Sequence, residues 1–197
     1  MSSEIRVNTV NEQTSASGVT IDGVLIKDGL VDGKDVSTLA NSVAFTEVDM
    51  WVVNTDITSD QQPLGSTYWT RHTGTLINMP IGTGMTVNSS GHWTFPSTGF
   101  YEITFIANVE NDTNSNATEI FIDATDNNFV GTDRIAFARY YGGDNSRTTY
   151  LAYAIVDITD VANDKIQFDF NEVNTSTLRG GTNEFISGII IKKIAST

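Results

Sequence analysis

Ser90-Gly91-His92-Trp93-Thr94-Phe95-Pro96-Ser97-Thr98-Gly99-Phe100-Tyr101-Glu102-Ile103-Thr104-Phe105 reads as a strand, a Pro/Gly corner and a second strand. Trp93 and Phe95 alternate with polar neighbours, and so do Tyr101, Ile103 and Phe105. A period of two sends alternate side chains to opposite faces, so these aromatics belong on one face of a sheet. Pro96 and Gly99 bracket a tight turn that folds one strand toward the other. No residue in the stretch has the setting of a catalytic group. It predicts an all-β sandwich.

The same pattern extends from about Ser42 to the C-terminus. Strand candidates are Ala44 to Val53, Thr67 to Thr70, Thr75 to Asn78, Thr86 to Asn88, Trp93 to Phe95 and Phe100 to Val109. Further on come Glu119 to Asp123, Arg134 to Tyr141, Arg147 to Asp157, Lys165 to Glu172 and Ile186 to Ile194. Polar turn clusters separate them at Glu110 to Asn116, Gly142 to Ser146 and Arg179 to Asn183. Many short strands with polar loops predict a β-sandwich or jelly roll. Two strands are apolar on both faces: Ile189-Ile190-Ile191 and Tyr150-Leu151-Ala152-Tyr153-Ala154-Ile155-Val156. One face enters the core. The other needs cover, from a sister subunit or from the chain's own loops. The subunit reading nominates Tyr153, Ile155 and Ile190 as interface residues.

Residues 1–36 differ in kind. Short β-type runs alternate with Asp22-Gly23, Asp28-Gly29 and Asp32-Gly33, turn dipeptides that tolerate positive φ. The segment is too short for a core of its own, yet Val19, Ile21, Val24, Leu25 and Ile26 are too apolar for a solvated linker. An attachment arm or trimer stalk accounts for them better than a loose tail. Residues 37–43 read as a connector, with Ser37 as a helix N-cap before Thr38-Leu39-Ala40. Residues 44–197 form the main domain.

The 197 residues carry 24 acids against 11 bases, a net charge of −13. That balance repels phosphate backbones and argues against nucleic-acid binding. There is no Cys, which removes disulfides, thiol nucleophiles and thiolate metal sites. No apolar run approaches the ~20 residues of a membrane span. Met1-Ser2-Ser3-Glu4-Ile5-Arg6 lacks the basic and apolar regions of a signal peptide.

Residues 44–197 resemble the C1q-like globular domain of the C1q/TNF superfamily. The family's Gly-x-aromatic-x-x-Pro-x-x-Gly-x-Tyr signature is matched by Gly91, Trp93, Pro96, Gly99 and Tyr101. Ala44-Phe45 stands where the family's opening strand begins. Asn163-Asp164-Lys165-Ile166-Gln167-Phe168 follows in the family's order, and so does Phe185-Ile186-Ser187-Gly188-Ile189-Ile190, with one added residue. The resemblance implies a ten-stranded jelly roll that assembles as a homotrimer. No collagen-type repeat precedes the domain. The leader Gly18 to Gly29 instead looks like segments of tailed-phage structural proteins.

Candidate chemistry is sparse. His72 and His92 are the only histidines, and both read more simply as structural residues than as members of a triad. No Gly-x-Ser-x-Gly elbow, phosphate loop or zinc spacing occurs. Asp123, Asp126, Asp133, Asp157 and Asp160 could pair across a glycosidic bond, but linear sequence does not pair them. Asp123-Ala124-Thr125-Asp126-Asn127-Asn128 supplies oxygen ligands for Ca²⁺ without EF-hand spacing, and a solvated turn is the competing account. Tyr68-Trp69 and Tyr140-Tyr141 each send one ring outward, where it stacks on a glycan or serves as an ordinary contact residue.

These readings converge on an expectation: a non-enzymatic bacteriophage virion protein, homotrimeric and without a cofactor, joined to capsid or tail proteins by its arm. Its jelly roll faces outward as a capsid decoration or short fibre knob, able to touch a host-surface glycan. A secreted C1q-like binding module and a glycan depolymerase are the alternatives.

Overall fold

The computed structural model describes residues 19–21, 24–27, 30–31, 34–35, 45–74, 76–111, 117–141, 143, 146–172 and 176–197. The chain divides into two units, Met1–Ala44 and Phe45–Thr197. In the first, β1 (Val19–Ile21), β2 (Val24–Lys27), β3 (Leu30–Val31) and β4 (Lys34–Asp35) form an antiparallel sheet in sequence order. Its register sets Val19 opposite Ile26, Thr20 opposite Leu25 and Ile21 opposite Val24, so all five residues nominated for the arm belong to one strand pair. The three Asp-Gly dipeptides and the connector at 37–43 lie largely or wholly outside the described residues.

The second unit opens with β5 (Val48–Val53), a 3-10 turn at Ser66–Tyr68, β6 (Trp69–Arg71), β7 (Thr73–Gly74) and β8 (Ile77–Asn78). It continues with β9 (Thr86–Val87), β10 (Trp93–Thr94), β11 (Gly99–Asn111), β12 (Ala117–Thr125) and β13 (Asp133–Tyr141). It closes with β14 (Ser146–Ile158), β15 (Lys165–Glu172), β16 (Ser176–Leu178) and β17 (Gly188–Ala195). Two antiparallel sheets form the sandwich, and β7 and β8 pair as a separate two-stranded ribbon. The front sheet runs β14-β11-β17-β5-β6, with β16 beside β11, and the back sheet runs β13-β12-β15-β10-β9. The all-β sandwich expected from the sequence is the fold observed.

The corner at Pro96 does more than reverse direction. β10 belongs to the back sheet and β11 to the front, so the turn carries the chain across the sandwich. The aromatics on its two sides therefore lie on two facing sheets rather than on one, a correction to the single-face reading. Phe95 and Tyr101 meet in the core, 4.7 Å between ring centroids. Tyr101 anchors the corner by donating its hydroxyl hydrogen to the Ser97 carbonyl at 3.0 Å. Gly91 holds φ +81°, and a Cβ there would stand 2.6 Å from the Leu64 carbonyl oxygen. Only glycine fits that approach.

Trp93 is fully buried at the centre of the core. Trp51 and Trp69 meet it edge-on at 5.2 and 5.4 Å, and Phe168 packs beside it at 5.7 Å. Such pairs each add about 0.5–1.5 kcal/mol beyond area burial. Asp164 locks the approach to β15: its Oδ2 accepts from the backbone N–H groups of Thr159 and Asp160 at 2.7 and 2.8 Å. The apolar triplet on β17 divides between the two faces of the sheet. Ile189 and Ile191 enter the core, and Ile190 is a half-buried outward residue.

Candidate functional site

The outward face of the front sheet is built by alternation on β14. Tyr150, Ala152, Ala154 and Ile158 turn inward and are buried. Leu151, Tyr153 and Ile155 turn outward and are 56%, 47% and 53% exposed. Antiparallel register extends each of them into a row across the sheet. Tyr153 lies opposite Thr104, then Ile190, then Met50. Leu151 continues to Ile106, Gly188 and Val52; Ile155 continues to Glu102, Lys192 and Val48. The third row carries an ion pair, Lys192 Nζ to Glu102 Oε1 at 3.0 Å. The three residues nominated for an interface thus share this face: Tyr153 and Ile155 on its edge strand, Ile190 at its centre.

Gly188, on the central strand β17, leaves room for the Phe185 ring over the sheet. A Cβ there would fall 2.9 Å from the Phe185 ring, which folds over the sheet. His72 is buried beneath it, 5.8 Å from the Phe185 ring and edge-on. Its backbone N–H donates to the Met50 carbonyl at 2.8 Å, and its Nδ1 has no partner among the described residues. In the sequence, His72 reads as a structural residue in a polar stretch, outward-facing on a strand or at a trimer contact. The structure buries it beside a ring more than a hundred positions away.

The back sheet's outward face has the opposite character. Glu119, Phe121 and Asp123 point outward from β12 and Asp169 from β15, yet all four are buried. Long side chains lying flat over the sheet seal them. Arg139 pairs with Glu119, which also accepts from Asn171 Nδ2 at 3.1 Å. Arg134 Nε donates to Asp123 Oδ1 at 3.1 Å, and its guanidinium lies 3.4 Å from the Phe121 ring centroid. Gln167 Nε2 reaches both Asp169 oxygens at 3.3 and 3.1 Å. Burial, the largest cause, pushes the Asp169 carboxyl up to about 7. At the rim of this face Phe137 and Tyr141 remain exposed.

A cleft of about 540 Å³ opens where β12, β13, β14 and β15 end. Ile135, Val156 and Ile158 give it an apolar side, and Asp126, Asp133 and Asp157 give it an acidic one. The loop nominated for Ca²⁺ borders it. Thr125 Oγ1 receives the N–H groups of Asn127 and Phe129 at 3.2 and 3.1 Å, and Asn127 Oδ1 receives that of Gly131 at 3.0 Å. The loop thus spends these oxygens on its own backbone, and Asp123 lies on a strand with Arg134 rather than in the loop. Among the described residues no group of three acids, histidines or cysteines has metal-binding geometry.

Four rings were nominated for ligand contact, and the structure separates them. Trp69 is a core residue whose Nε1–H donates to the Leu64 carbonyl at 3.2 Å, and Tyr68 packs against the same core. Tyr140 stacks inward at 5.2 Å from Tyr150, and Tyr141 is the exposed member of its pair. His92 precedes β10 and stacks on Phe129 at 3.8 Å. The turn segment 112–116 and most of 142–145 lie outside the described residues. The sequence pairs none of the acids on the back sheet. Only β12–β15 register brings Asp123 and Asp169 together.

No helix among the described residues is long and apolar enough to cross a membrane. No family model matches the chain, and no curated protein matches it in sequence. Solved structures do match in fold. The Eiger TNF of S. frugiperda superposes with a TM-score of 0.53 at 12% identity, over 78% of this chain and 96% of that one. Murine APRIL at pH 5.0 superposes with a TM-score of 0.55 at 9% identity, over 75% of this chain and 98% of that one. At such identities the likeness establishes the fold, a TNF-like jelly roll, as the sequence signature implied.

Proposed function

We propose that this chain is a non-enzymatic bacteriophage virion protein that works as a homotrimer. The arm holds it to other virion proteins of the capsid or tail, and the jelly roll faces outward as a decoration or short fibre knob. The observation that carries the reading is the exposed apolar edge of the front sheet, Leu151, Tyr153 and Ile155, continued inward to Ile190. Contiguous apolar side chains of this size mark an interaction surface in a soluble protein. Burying one of them from its half-exposed state stabilises an assembly by about 1 kcal/mol, and a threefold contact repeats that gain at each interface. Three arms on one trimer then bind the particle together, and avidity replaces the need for one strong contact. The leader's likeness to phage structural segments supports the virion setting. Tyr141, exposed at the rim, is the nominated ring available to stack on a host-surface glycan.

Light scattering on the purified chain tests the assembly. The expected mass is that of three chains, and Ile155→Asp reduces it to one with an unchanged β-sheet spectrum. A wild-type chain that is folded and monomeric in dilute solution overturns the proposal. Deleting residues 1–36 should leave a trimer that no longer joins the particle; normal incorporation of that truncation rejects the arm as the anchor.

A further inference from the structure

We propose that the cleft at the end of the sandwich binds an organic cation, a primary alkylammonium group whose methylenes lie on the apolar side and whose charge is held by the carboxylates. The cleft is formed within one chain where β12, β13, β14 and β15 end, and its volume of about 540 Å³ falls in the range of small-ligand sites. It needs no second subunit. The carboxylates of Asp126, Asp133, Asp157 and Asp164 line it. Among the described residues the first three hold no ion pair and accept no side-chain hydrogen bond.

Asp164 is the buried member of the four, at 8% exposure. Its Oδ2 accepts from the backbone N–H groups of Thr159 and Asp160 and from the Thr159 hydroxyl at 3.2 Å. Its Oδ1 accepts no hydrogen bond among the described residues. A carboxylate oxygen at nine-tenths burial calls for a donor, and a ligand N–H in the cleft supplies one. The lining holds one basic side chain, Lys165. Its Nζ donates to the Val161 carbonyl at 2.7 Å and forms no ion pair among the described residues. Four acids thus stand in the cleft against one base that is engaged elsewhere. Walls of one charge sign concentrate ions of the other.

The lining selects the kind of cation. A small hard metal ion needs a close cage of oxygens. No group of three acids or histidines among the described residues offers one, and the nearby Thr125 and Asn127 oxygens are bonded to their own backbone. An ammonium group needs only separate acceptors for its three N–H bonds, and it brings a chain that a metal ion lacks. Ile135, Val156 and Ile158 give that chain an apolar surface. The rim is tied down at two points beside Asp126. The Asn128 N–H donates to the Asn163 carbonyl at 3.0 Å, and Phe129 stacks on His92. The acid is therefore carried on a fixed segment, which lowers the ordering cost of binding.

Methyl NMR of the full chain, titrated with 1,5-diaminopentane and separately with Nα-acetyl-lysine methylamide, is the test. Both probes carry a primary ammonium on a run of methylenes. Tighter binding of the diamine assigns the site to a free polyamine; tighter binding of the blocked lysine assigns it to a side chain of a partner protein. In either case the shifts should centre on the methyls of Ile135, Val156 and Ile158, and the neutral 1,5-pentanediol should cause none. Raising salt from about 20 to 200 mM should weaken binding several-fold. Asp133→Asn combined with Asp157→Asn should weaken it about tenfold. Glu184→Gln, at an exposed acid outside the cleft, should leave it unchanged. Equal losses in the two variants mean attraction to the net negative charge alone and overturn the site. Equal binding of the diol overturns it too, as do shifts that spread over the surface without reaching those methyls. If the double variant fails to fold, the wild-type shifts decide alone.

Discussion

The two outward faces of the sandwich follow the same alternation and reach opposite states. On the front sheet, outward residues of β14 are large, apolar and about half exposed. On the back sheet, outward residues of β12 are as buried as core residues, because Arg134, Arg139, Asn171 and Gln167 lie across the strands. Flat-lying arginines provide cover only where acids are placed to hold them, here Asp123 and Glu119. The front sheet has two such couples among the described residues, Lys192 with Glu102 and Arg147 with Glu110, and the apolar rows between them stay open. One face is closed by the chain that makes it; the other is suited to closure by a second chain.

Substitutions should separate the two faces, in order of decreasing effect. Phe121→Ala, beneath Arg134, should cost about 3–5 kcal/mol in chemical denaturation, the range for a buried phenylalanine. A loss under 1 kcal/mol would mean that the seal is loose and the contrast illusory. Arg134→Ala should cost about 1–3 kcal/mol, since it uncovers that ring and leaves Asp123 without its cation. Leu151→Ala, on the open face, should cost under about 1 kcal/mol in dilute solution. Its penalty should grow with protein concentration, as linkage to assembly requires. Smallest of all, Lys192→Ala should change stability by about 0–1 kcal/mol, less at high salt, because the pair is solvent-accessible. A larger, salt-insensitive loss would place that pair inside a dry interface and sharpen the case for a partner there.

Much of this organisation is legible in the chain itself. Lys165 to Glu172 is a strand with the bounds expected of it, and the runs from Glu119, Arg134 and Arg147 each lie within a strand one or more residues longer. Alternation over eight or more residues is a strong signal and survives in the fold. The shortest elements were less visible. Ser176–Leu178 pairs with β11 over three residues and has no periodicity to read. Thr67 to Thr70 begins as a 3-10 turn, and only Trp69 onward joins the sheet. Among candidate site residues, the β14 set was visible as an apolar strand with two faces. The Asp123–Asp169 pair was not, because its members are 46 positions apart on strands whose register no local pattern encodes.

Local chemistry determined that this protein is a β-sandwich with a sharp corner at Pro96 to Gly99 and an apolar outer face on β14. Backbone sterics, alternation and turn preference act within a few residues, so they can be read along the chain. Tertiary structure decided which sheet each side of the corner joins, that Phe185 buries His72, and that arginines close one face and leave the other open. Those outcomes depend on contacts between distant segments, and the free energy of covering a face belongs to the pair of surfaces that meet rather than to either stretch of sequence.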